Sequence, residues 1–134
     1  MTFDGKCLCG STHITVNDLK PDNQIKCHCT DCQLTSGTSN STNVLVDKSK
    51  VTMTGKLGEF TSKADSGNGV TRVFCTACGC PVAHQSAAFG EGIALQTAML
   101  GLVDAPFTAE LFVKNRWPVV AAVPDAGQVE GMMQ

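Results

Sequence analysis

Apolar and polar residues alternate along most of this chain with the period of a β-strand. The pattern runs through STHITV (11–16), NVLVD (43–47), KVTMTG (50–55), GEFTSKA (58–64), VTRVF (70–74), PVAHQ (81–85), GIALQT (92–97) and AELFVK (109–114). Alternation of this kind puts one face of a strand on a core and the other in water. Breakers separate the runs: PDN at 21–23, SGNG at 66–69, DAP at 104–106 and PDAG at 124–127. A single short helix is predicted over TDCQLTSG (30–37), with Gly37 as its C-cap. The residues after Trp117 and Pro118 read as a meandering tail on the surface. No linker-like run divides the chain. The expectation is one domain over residues 1–134, mostly β, built of short antiparallel strands.

Composition sharpens this reading only where it excludes something. The 134 residues include thirteen Gly but only six Phe, one Trp and no Tyr, which favours strands and turns over helices. A formal charge of −2 gives no electrostatic ground for a nucleic-acid partner. The longest fully apolar run, VVAAV at 119–123, is far too short to cross a bilayer, and MTFDGKC at the start has no apolar leader region. A soluble, cytoplasmic protein is expected, with self-association left open. In that setting eight cysteines point to metal or redox chemistry rather than disulfides.

The cysteines fall into groups. CLCG (7–10) and CTACG (75–79) each lead into an alternating strand, and each has the form of a zinc knuckle. The Gly tolerates left-handed dihedrals, so that backbone N–H groups turn toward the thiolate sulfurs. Two knuckles make one four-cysteine centre: Cys7, Cys9, Cys75 and Cys78. The bland alternative is a set of buried or disulfide-forming thiols. KCHCTDCQ (26–33) offers three more sulfurs, Cys27, Cys29 and Cys32, without a knuckle glycine. Three protein ligands and an open position are the pattern of a catalytic zinc. Alternatives stay open: Cys80 as a fourth protein ligand, or a reversible disulfide within Cys29-x-x-Cys32. His28, flanked by ligands, is expected to donate to a sulfur or face a cleft, whereas His13 and His84 read as ordinary strand residues.

The order C-x-C-G, C-H-C-x-x-C with Gly37 five residues on, then R-x-F-C-x-x-C-G-x-P (72–81), resembles the glutathione-dependent formaldehyde-activating enzyme family, which includes centromere protein V. GLVDAPFTAELFVKNRWP (101–118) and QVEGM (128–132) resemble its closing segments. The resemblance implies a zinc-containing fold of the β-tent type. It also implies two Zn2+ per chain, a structural one on Cys7, Cys9, Cys75 and Cys78 and a second on Cys27, Cys29 and Cys32. The implied activity is that of a carbon–sulfur lyase, joining glutathione and formaldehyde into S-hydroxymethylglutathione. Seven thiolates and two Zn2+ would carry the formal charge from −2 to about −5. An anionic tripeptide then needs a local cation, and Arg72 is the best candidate. His28 and Gln33 are further candidates for substrate binding. Gln33 and Cys80 stand where many members carry a basic residue and a Ser. A non-catalytic zinc-stabilised binding module is the alternative function.

Overall fold

The computed structural model describes residues 1–20, 22–102 and 104–132. Pro21 of the PDN breaker lies outside them. The described chain is mostly β. Its strands are β1 (Phe3–Lys6), β2 (Thr12–Val16), β3 (Gln24–Cys27), β4 (Ser41–Asp47), β5 (Val51–Gly55), β6 (Leu57–Lys63), β7 (Gly69–Cys75), β8 (Pro81–Ser86), β9 (Gly92–Gln96), β10 (Phe107–Leu111) and β11 (Gly127–Gln128). Two short α-helices interrupt them, α1 (Thr30–Ser36) and α2 (Thr97–Leu100), with single 3-10 turns at Lys48–Lys50, Ala87–Phe89 and Val113–Asn115. All eight alternating runs are strands, within a few residues at their ends. The last run stops at Leu111 rather than 114, because Phe112 takes a positive φ of 55° that breaks the ladder.

The strands form two sheets, a small one in the order β1-β2-β5 and a large one in the order β11-β10-β3-β4-β9-β8-β7-β6. The expectation of antiparallel pairing holds except at β10, which runs parallel to both β3 and β11. The chain reaches β10 only after some eighty residues, and a long return can bring a strand back in the same direction as its neighbour. Buried Gln24 reinforces that edge, donating from Nε2 to the carbonyls of Leu102 (3.0 Å) and Ala105 (2.6 Å). The tail is likewise more than a surface meander, since Gly127 and Gln128 add the edge strand β11.

Strands β1 and β3 and helix α2 escape the pattern because each has only four residues, too few to show a period. The main core lies between the sheets and is built from Ile14, Val16, Val44, Val73, Val82, Leu95 and their neighbours. A smaller apolar cluster joins Ile25, Cys27, Cys32, Ala109 and Leu111 around the start of α1. The helix begins where the Cys29 sulfur accepts a hydrogen bond from the Cys32 N–H at 3.3 Å and ends at Gly37, φ 72°.

Candidate active site

Cys7 and Cys9 sit in the turn between β1 and β2, Cys75 ends β7, and Cys78 lies in the turn between β7 and β8. The first pair belongs to the small sheet and the second to the large one. Gly10 (φ 81°) and Gly79 (φ 75°) close the two knuckles in the left-handed region. That conformation brings the Thr12 N–H to the Cys7 sulfur at 3.2 Å. Hydrogen bonding by Thr12, together with the backbone N–H groups of Cys78 and Ala77, outweighs burial and lowers the Cys75 thiol to about 6. The four sulfurs lie within 4.8 Å of one another, with Cys7–Cys9 at 3.7 Å and Cys9–Cys75 at 3.8 Å. A tetrahedral zinc about 2.3 Å from each sulfur holds them about 3.8 Å apart, so the set fits a metal ion. A disulfide needs sulfurs about 2 Å apart. All eight cysteines are free thiols.

Cys27 at the end of β3, with Cys29 and Cys32 at the start of α1, form the second group, their sulfurs also within 4.8 Å of one another. Cys80 belongs to neither group; its sulfur lies 3.7 Å from the Pro81 carbonyl. The three thiols share protons unequally. Hydrogen bonds from Cys27, Cys29 and the Ser41 hydroxyl, with the positive charge of Arg72, outweigh burial and hold Cys32 down at about 3, while Cys29, Cys32 and burial push Cys27 up. A cluster already tuned to carry a thiolate suits a soft divalent metal.

These sulfurs line one wall of a cleft of about 460 Å³. Arg72 and His84 face it from β7 and β8, where they are paired residues across the ladder. Three strands separate β3 from β7 in the sheet order, and the cleft runs across all of them, lined by Leu45 of β4, Ala94 of β9 and His84 of β8. The Arg72 Nη1 reaches the Ser62 hydroxyl at 3.4 Å, its one hydrogen bond among the described residues, and the side chain lines the cleft. Burial and the adjacent guanidinium push His84 down to about 4, so its imidazole is neutral at physiological pH.

The other two predicted substrate residues are placed elsewhere. His28 is fully buried and turned away from the cleft, its Nε2 donating to Glu110 Oε1 at 2.8 Å. Gln33 donates from its amide to the carbonyls of His28 (2.9 Å) and Asn115 (3.1 Å). Neither lines the cleft. Glu110, also fully buried, is the hub that the sequence reading missed. Its Oε2 accepts from the Val123 N–H (2.8 Å) and Gln128 Nε2 (2.7 Å) and lies 3.3 Å from Arg116 Nη2. Burial alone would raise this carboxyl, but Gln128, His28, Val123 and Arg116 together lower it to about 2. The available signal was a charged residue inside the apolar run AELFV.

The family model for the glutathione-dependent formaldehyde-activating enzyme matches residues 2–115. The chain belongs to the glutathione-dependent formaldehyde-activating enzyme family. The match spans both cysteine groups, Arg72, His84 and Glu110, while the tail segment that satisfies Glu110 lies beyond it. No individually curated protein matches the chain. Among solved structures, a Rhodobacter sphaeroides protein determined as a structural genomics target is 20% identical, with a TM-score of 0.61 over 78% of this chain and 99% of that one. At that identity the likeness concerns the fold. Family membership associates the chain with formaldehyde-activating, glutathione-related enzymes.

Proposed function

We propose that this protein is a cytoplasmic, zinc-dependent carbon–sulfur lyase that forms or breaks an adduct between glutathione, or a similar small thiol, and an aldehyde such as formaldehyde. The observation that carries the reading is the gathering of Cys27, Cys29 and Cys32 at the wall of a cleft that also presents Arg72 and His84. In this reading Cys7, Cys9, Cys75 and Cys78 hold a structural zinc that ties the two sheets, and the three-cysteine group holds a second. Zinc there supplies a Lewis-acid position that makes a bound thiol more acidic.

The protein's own groups do the rest. Arg72 takes a carboxylate of the tripeptide, as the half-buried cation facing the cleft. Adduct formation makes one S–C bond, moves the carbonyl π pair onto oxygen and delivers to that oxygen the proton the thiol gives up. The neutral His84 imidazole can donate a hydrogen bond where this negative charge develops.

Exchange NMR with ¹³C-formaldehyde and glutathione tests the proposal. Zinc-loaded protein should accelerate exchange between free and S-hydroxymethyl carbon well above the buffer rate, and Cys29→Ser should abolish the acceleration. Equal exchange in the presence of wild type, variant and buffer sinks the enzyme reading and leaves the binding-module alternative.

A further inference from the structure

The cleft beside the three sulfurs is larger and more apolar than formaldehyde requires. Ile25, Leu45, Val70, Phe89, Leu111 and Phe112 line it, and the sulfurs themselves pack into the apolar cluster of Ile25, Leu111 and Phe112. Leu45, on the central strand β4, is 40% exposed at this wall. The charged groups are few: Arg72, Asp31 and Asp65. They complement the ends of glutathione, one carboxylate on Arg72 and the ammonium toward an aspartate. That leaves the apolar wall without a counterpart in either glutathione or a one-carbon aldehyde.

We propose, resting on the thiol-adduct reading above, that the carbonyl partner bears an apolar alkyl or aryl body that lies on the wall formed by Leu45, Val70 and Phe89. The substrate class is the S-(1-hydroxyalkyl)glutathione of a medium-length apolar aldehyde. Its formation is redox-neutral: the S–H adds across C=O, making an S–C and an O–H bond and breaking the carbonyl π bond. No oxidant or reductant is consumed.

Calorimetric titration of the zinc-loaded protein with S-hexylglutathione and S-methylglutathione isolates the apolar contact from thiolate ligation, since neither analogue offers a thiol. The hexyl compound should bind about thirtyfold more tightly, as expected from covering roughly half of its five added methylenes. Leu45→Asp and Phe89→Ser, each checked for full metal loading, should cut that preference to about threefold or less. Affinities within twofold of each other in the wild type overturn the inference, as does failure of both analogues to bind or a preference unchanged in both variants. The catalytic reading fails separately, if formaldehyde exchange shows no acceleration.

Discussion

Replacing Glu110 by Gln removes one negative charge from a fully buried position and keeps the side chain's shape. The carboxylate accepts from His28, Val123 and Gln128 at 2.7–2.8 Å and faces Arg116 at 3.3 Å. An amide has one oxygen, so its NH2 faces either the Val123, Gln128 and Arg116 donors or His28 Nε2, which can accept only by moving the ring proton to Nδ1. In every arrangement the charge opposite Arg116 is gone. Losing a hydrogen bond to a charged group costs about 1.5–3 kcal/mol, and breaking a buried ion pair about 3–5 kcal/mol. We expect a loss of about 3 kcal/mol at pH 7, or about 10 °C in melting temperature for a chain of this size. Urea unfolding of the zinc-loaded protein measures it. The pH dependence has a definite sign. The carboxyl is lowered from its ordinary 4.5 to about 2 in the folded state, so its contribution is complete above pH 4.5 and is lost as pH falls toward 2. Gln does not titrate, and metal loss in acid affects both proteins. The gap between wild type and variant should therefore narrow below pH 4.5. A gap under about 1 kcal/mol at pH 7, or one constant from pH 6 to pH 3, refutes the reasoning.

Reduced protein made with ample zinc should carry close to two zinc ions per chain by mass spectrometry or plasma emission, and the triple Cys27, Cys29, Cys32 to Ser variant close to one. A value of one in both contradicts the second site. Cys75→Ser breaks the centre joining the two sheets and should give unfolded or insoluble protein, whereas Cys29→Ser should fold and lose only its second metal, by circular dichroism and metal analysis. Arg72→Ala should weaken glutathione binding about tenfold in calorimetry with zinc content unchanged, the loss expected for one charge-assisted contact. Unchanged affinity removes Arg72 from the site. Glutathione itself should bind far better than S-methylglutathione and less well in acid, where its thiol keeps its proton.

Local chemistry carries through intact from sequence to structure. Strand alternation needs only period-two patterning, so β2 and β4 through β9 are where the pattern puts them. Cysteine spacing and the knuckle glycines are short-range facts, so both cysteine groups were legible, as was the cap at Gly37. Alternation cannot fix strand order or direction, because a parallel and an antiparallel neighbour place the same demand on a strand's two faces. Only the tertiary structure brings β10 parallel to β3 and sets Arg72 and His84 on the same cleft as the sulfurs of Cys27, Cys29 and Cys32. His28 shows the same limit at one residue. Its neighbours Cys27 and Cys29 put it beside the three-cysteine group, but its direction was decided by Glu110, eighty-two positions away in the chain, because a buried polar ring must find a partner.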